Sequence, residues 1–163
     1  MIKAVIFDLD GTLIHLPIAY EALFLEFKKL MLVDNVHPLA DAVSRLDKNT
    51  REQVFRVWDK AELAASAKMT VNEEGMKIYR NFSQKPKALV TMQGRKIVKN
   101  ILAQLELSFN ITVTREDSLN RTEQLKNAAE KLKTQFQSIL FVGNTESDSL
   151  SAEKIGCQFL RIR

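Results

Sequence analysis

The sequence predicts an α/β protein: a doubly wound, mostly parallel sheet, interrupted by an inserted helical subdomain. Three patterns carry that prediction. The chain opens on an apolar, β-branched run at residues 2–8 (IKAVIFD), as a strand buried on both faces requires. From residue 87 onward, short apolar runs alternate with amphipathic stretches, the order of parallel strands joined by crossover helices. Between these two regions the apolar residues recur at helical spacing and no strand interrupts them.

The elements follow in order. Residues 18–33 (IAYEALFLEFKKLMLV) form an amphipathic helix, and residues 37–47 a second with Pro38 near its first turn. Residues 50–67 (TREQVFRVWDKAELAASA) form a third with Thr50 as N-cap, and residues 70–82 a fourth. Phe24, Phe27, Phe55 and Trp58 lie at helical spacing and are expected to form the insertion's own core. Residues 87–91 (KALVT), 111–114 (ITVT), 138–142 (SILFV) and 157–161 (CQFLR) are the remaining strands. Helices at 93–107, 121–133 and 145–155 separate them, the last closed by Gly156. The domains are then an α/β core, residues 1–16 and 84–163, and a helical subdomain, residues 17–83.

Composition sets bounds on function. The 163 residues are 45% hydrophobic and 27% charged, enough for one globular core. A single cysteine, Cys157, excludes an internal disulfide and reads as a buried apolar residue. There is no secretory-type leader and no apolar run long enough for a membrane span, so a cytoplasmic protein is the default expectation. The net charge of +4 reads as a lysine-rich solvated surface. It lacks the concentrated basic run with interleaved aromatics that a nucleic-acid partner requires.

In open parallel sheets, ligands bind beyond the carboxyl ends of the strands. That rule gathers Asp8–Thr12, Thr91–Arg95, Thr114–Arg121 and Gly143–Asp148 at one edge. Asp8 and Asp10 stand one residue apart at the end of the first strand, where like charges repel. A carboxylate at Asp8 can attack phosphorus, and Asp10 can serve as general acid and then base. A divalent cation resolves the repulsion, and hard oxygen ligands beside a phosphate suit Mg²⁺.

These residues resemble a known family. VIFDLDGTL resembles the first motif of the haloacid dehalogenase superfamily, LVTMQG its second and FVGNTESD its fourth. The helical insertion resembles the helical cap of the branch that holds phosphoglycolate phosphatases and phosphomutases. The resemblance covers essentially the whole chain. It implies that Asp8 is the nucleophile and Asp10 the acid/base. It further implies that Thr91 with the following N–H groups of Met92 and Gln93 holds the phosphoryl oxygens. Asp8, the Asp10 carbonyl, Asn144 and Asp148 would surround Mg²⁺. Two positions depart from the family pattern. Asn144 stands where an acid is usual, which predicts weaker metal binding. The third-motif lysine is absent, and placement at a helix start favours Arg121 over Lys126 as the cation that stabilises charge.

The expected activity is hydrolysis of a small phosphorylated metabolite, with no nucleic-acid or membrane partner. Two alternatives stay open: a phosphomutase using the same nucleophile, and a catalytically weak binding or regulatory protein. Other polar residues receive plainer readings. Arg115, Glu116 and Asp117 read as a loop ion cluster, Arg95 as a solvated helix-start residue, His15 as a surface or hinge residue, and His37 as a helix-start residue.

Overall fold

The computed structural model describes all 163 residues. In chain order the elements are β1 (Ala4–Phe7), β2 (Ile14–His15), α1 (Tyr20–Met31), α2 (Leu39–Ser44), α3 (Lys48–Ser66), β3 (Thr70–Val71) and α4 (Glu73–Asn81). They continue with β4 (Lys87–Val90), α5 (Arg95–Gln104), β5 (Ile111–Val113), α6 (Arg121–Lys131), β6 (Ile139–Gly143), α7 (Glu146–Ile155) and β7 (Gln158–Arg161). The main sheet has the order β5-β4-β1-β6-β7, with every neighbouring pair parallel. No helix is long and apolar enough to cross a membrane.

β1 is central because its four residues AVIF are fully buried and can serve both faces. Successive side chains alternate between two apolar clusters. Val5 and Phe7 join Leu89, Ile97 and Ile101, so α5 covers one face together with the insertion. Ala4 and Ile6 join Leu125, Ala128, Phe141 and Ala152, so α6 and α7 cover the other. In register, Phe7 lies opposite Leu89 and Val142. This brings the loops after β1, β4 and β6 out together at the carboxyl edge.

The insertion departs from expectation in several ways. A strand does interrupt the helical block: β3 pairs antiparallel with β2, matching Ile14 to Val71. The fourth helix therefore begins at Glu73, with Asn72 as its N-cap accepting the Gly75 N–H at 3.2 Å. The third helix begins earlier than expected. Asp47, not Thr50, is its N-cap, and the Thr50 N–H donates to the Asp47 carboxylate. Pro38 stands at the N-cap of α2, one residue before the helix. Nor do the aromatics form a core of their own. Phe27 and Trp58, with ring centroids 5.6 Å apart, belong to the cluster that contains Val5, Phe7 and Leu89, and Phe24 and Phe55 pack against it. Cys157 is half-buried beside the opposite cluster.

The small ribbon matters because it fixes the loop that carries the two acids. The Asn72 N–H donates to the Leu13 carbonyl at 2.9 Å. Gly75 in α4 sits so close to the Thr12 carbonyl that a Cβ there would overlap it. Gly75→Ala is expected to destabilise the protein by about 1–3 kcal/mol through overpacking against that loop, read as a lower urea midpoint at unchanged slope.

Candidate active site

The loop after β1 turns sharply. The Gly11 N–H donates to the Ile14 carbonyl at 2.7 Å, while Thr12, Leu13 and Ile14 donate back to Leu9. Gly11 takes φ 85°, a conformation that favours glycine, and a Cβ there would also overlap the Asn144 amide. The turn holds Asp8 and Asp10 at the sheet edge with distinct partners. One Asp8 oxygen accepts from Arg121 Nη2 at 3.0 Å and the other from the Thr12 hydroxyl at 3.3 Å. One Asp10 oxygen accepts the Leu16 N–H at 2.9 Å.

Both acids lie out of water to a degree that shifts them. Burial pushes Asp8 up to about 7; the neighbouring Arg121 guanidinium pulls it down, and Asp148 and Asp10 push it further up. Burial also raises Asp10, partly offset by the Leu16 N–H.

Arg121 is the first residue of α6, positioned by the Asn120 side chain, which caps that helix at the Glu123 N–H. Its guanidinium spans the site. It meets Asp8 at 3.0 Å and Asp148 Oδ1 at 3.0 Å, and it donates to Gln124 Oε1 at 2.8 Å. Gln124 is buried and anchors the far side by donating to the Thr91 and Ser118 carbonyls, both at 2.8 Å. Lys126, the other candidate, points to solvent and pairs with Glu123.

Asp148 completes a capping box at α7 with Thr145. Its Oδ2 accepts the Asn144 and Thr145 N–H groups at 3.2 and 3.3 Å, and its Oδ1 faces Arg121. Its carboxylate is thus well supplied with donors from this chain. Glu146 turns outward to Arg161.

A cavity of about 290 Å³ opens among these groups. It is lined by Asp8 and Asp10, by Met92 and Gln93, by Arg121, and by Asn144, Thr145 and Asp148. The structure thereby brings together seven of the eight residues singled out in the sequence. Thr91 is the eighth and does not line the cavity. It is fully buried, its hydroxyl donates to the Gln93 side chain, and it accepts the Gln93 N–H at 3.1 Å. Thr91 therefore shapes the loop behind the cavity wall. Sequence reasoning placed Thr12 at the site edge without naming Asp8 as its partner, and missed Gln124 and Thr145. Thr145 could have been found as the N-cap of a capping box, since Asp148 follows three residues later.

The reading of Arg115 as part of a loop ion cluster is corrected. Its side chain is fully buried and pairs with Asp59 and Glu62 of α3. The rest of that reading survives in part. Asp117 pairs with the exposed Arg95 at 3.2 Å, and Glu116 accepts the Arg95 N–H. Arg115 left this group because its guanidinium stacks 4.3 Å from the centroid of the Trp58 ring, an attraction sequence spacing does not reveal. His15 is exposed on β2, and His37 is exposed with its ring T-shaped to that of Phe24.

The donor set around the cavity bears on a divalent cation. No three His, Cys, Asp or Glu side chains converge as a ready ligand cluster. Yet the buried Asn144 Oδ1 has no hydrogen-bond partner, and Asn144 lines the cavity together with Asp8 and Asp10. A buried acceptor without a donor is costly unless something fills it. Hard oxygens of this kind fit Mg²⁺.

Comparisons with known proteins place the fold. A comparison with curated protein sequences finds no match. Among solved structures, a haloacid dehalogenase superfamily hydrolase from Geobacter sulfurreducens is 23% identical, with TM-score 0.63, over 99% of this chain and 89% of its own. An L-2-haloacid dehalogenase from Xanthobacter autotrophicus, solved with chloropropionic acid covalently bound, is 15% identical, with TM-score 0.67, over 99% of this chain and 78% of its own. A related enzyme from Bacteroides thetaiotaomicron, solved with magnesium and inorganic phosphate, is 13% identical, with TM-score 0.57, over 100% of this chain and 95% of its own. At these identities the likeness shows a shared fold. The family model for haloacid dehalogenase-like hydrolases matches residues 5–162, nearly the full length, and the chain belongs to that family.

Proposed function

We propose that this hydrolase is a Mg²⁺-dependent phosphatase of small phosphomonoesters, acting through an aspartyl phosphate at Asp8. The observation that carries the reading is the pairing of a buried acid, Asp8, with a half-buried one, Asp10, in a different environment. Burial raises both, Asp8 to about 7, but only Asp8 faces a guanidinium, which pulls it back toward the ionised form; Asp10 has none. A carboxylate with a cation opposite, beside a second acid without one, suits a nucleophile and a general acid.

On this reading, an Asp8 oxygen attacks phosphorus and the bond to the ester oxygen breaks. Asp10 gives its proton to the departing alcohol, then accepts a proton from the water that attacks the acyl phosphate. Phosphate leaves and Asp8 is restored. Arg121, fixed by Gln124, favours the ionised form of Asp8 and neutralises charge on the phosphoryl oxygens. The Met92 N–H is the loop donor left for those oxygens, since Thr91 takes the Gln93 N–H and Glu62 the Gly94 N–H, and the helical insertion acts as a cap. Asp8, the Asp10 carbonyl and Asn144 would hold the metal, with Asp148 behind them. When bound, Mg²⁺ neutralises phosphate charge.

Three results are expected. Wild-type protein hydrolyses para-nitrophenyl phosphate or members of a phosphorylated-metabolite panel, and chelation of divalent metal stops it. Asp8→Asn lowers turnover by at least ~1,000-fold, as loss of a covalent nucleophile does. Turnover of 2-chloropropionate instead of any phosphate ester would refute the reading. Second, Asn144→Asp lowers the Mg²⁺ concentration for half-maximal activity by about tenfold, because an added charge strengthens a hard-cation site; an unchanged half-saturation would remove Asn144 from the ligand set.

The third result follows from the raised Asp8. An acid raised in the folded state binds protons more tightly there than when unfolded, so its penalty grows as pH rises from about 4 to 7. Without metal, Asp8→Asn therefore stabilises the protein more at pH 8 than at pH 5, with a difference of about 2 kcal/mol by urea denaturation.

A further inference from the structure

We propose that Arg115 is a positioning residue that sets the shape of the loop at residues 91–94 from outside the cavity, through the buried seam between α3 and the sheet. Its effect on phosphate rests on the phosphatase reading; its hold on the loop does not.

Three successive residues of the loop are tied to Arg115, by its side chain, by its main chain and through its ion-pair partner Glu62. Arg115 Nη1 donates to the Met92 carbonyl at 3.2 Å. The Arg115 main-chain N–H donates to the Gln93 carbonyl at 3.3 Å. Its Nη2 meets Glu62 at 2.8 Å, and Glu62 accepts the Gly94 N–H on both oxygens at 3.2 and 3.3 Å. Asp59, one turn earlier on α3, takes the same guanidinium. Gly94 has no room for a Cβ, because the Asp59 carboxylate and the Arg115 guanidinium occupy that space.

Stability alone does not account for this arrangement. A buried ion cluster is often no more stabilising than apolar residues of the same volume. This one also leaves Arg115 Nε and the neighbouring Trp58 Nε1 without partners. What the cluster supplies is geometry. Met92 and Gln93 line the site cavity on one side and hang from Arg115 on the other. Because both acids lie on α3, the seat of the insertion and the shape of the loop are one arrangement.

The test separates positioning from stability. The triple variant Arg115→Met/Asp59→Asn/Glu62→Gln removes the charges together, so no ion is left unpaired. Arg115→Lys keeps the charge with fewer donors. Ile139→Ala, in buried β6, is a control for lost stability away from the seam. Hydrogen exchange at the Gln93 and Gly94 amides is measured with inorganic phosphate affinity and para-nitrophenyl phosphate kinetics. The triple variant is expected to keep a Tm near wild type while loop exchange rises at least ~tenfold, with phosphate affinity falling and KM rising more than kcat changes. Ile139→Ala is expected to lower Tm without that local rise. Wild-type loop exchange in the triple variant overturns the proposal, as does an increase no larger than Ile139→Ala gives at equal loss of Tm. If the triple variant does not fold, Arg115→Lys read against the same control decides between these outcomes. A wild-type protein that binds no phosphate, together with faster loop exchange in the variants, overturns the phosphatase reading and supports the hold of Arg115 on the loop.

Discussion

The structure depends on a single charge balance at the end of β1. Asp8 is buried where a carboxylate is costly, and Arg121 is the guanidinium that meets it. Almost everything around the site fixes that guanidinium or the acid. Asn120 caps the helix on which Arg121 stands, Gln124 holds its Nη1, and Asp148 holds its Nε. Asp148 is in turn held by the N–H groups that open α7. Two helix starts, α6 and α7, therefore meet through one ion pair. The sheet register that places Phe7 beside Val142 brings them within reach of Asp8.

The second constraint is the loop after β4. It presents Met92 and Gln93 to the cavity while its other side is tied to a helix from the insertion. A small protein gains from this arrangement. Local hydrogen bonds of a four-residue loop offer little rigidity, and loops are the mobile parts of a fold. Tying the loop to a buried helix lets it share that helix's rigidity without adding chain.

Much of this was legible in the sequence, and the reasons are physical. A sheet strand buried on both faces reads as a continuous apolar run, so β1, β4 and β6 stood out. Strand ends are where polar residues replace that run, so Asp8, Asp10 and Asn144 were found by position. Arg121 was found by its place at a helix start. Other features had no such signal. β3 is two exposed residues, Thr70 and Val71, that pair only because α4 brings them to Ile14. Trp58 and Phe27 have the spacing of a local helical core, and spacing cannot tell which partner an apolar face chooses. Arg115 was read from its charged neighbours in the chain, whereas its partners lie 53 and 56 positions earlier, on another element. Thr91 was placed at the right strand end. Its hydroxyl turned to Gln93, two residues on, a competition that a strand pattern does not encode.

Asn144 also finds an explanation in the charge balance. Two carboxylates, Asp8 and Asp148, face one guanidinium, and a third, Asp10, lines the same cavity. If all three are ionised, two negative charges remain. A divalent cation cancels them and leaves a site that can accept an anionic phosphate without net repulsion. A fourth acid at position 144 would hold the cation more tightly but restore a negative charge next to the phosphate. An amide keeps a hard oxygen, with Oδ1 buried and free of other partners, and adds no charge. On the proposed reading, then, this position exchanges metal affinity for phosphate affinity. The exchange is acceptable only because the single arginine opposite is held in place by so many contacts.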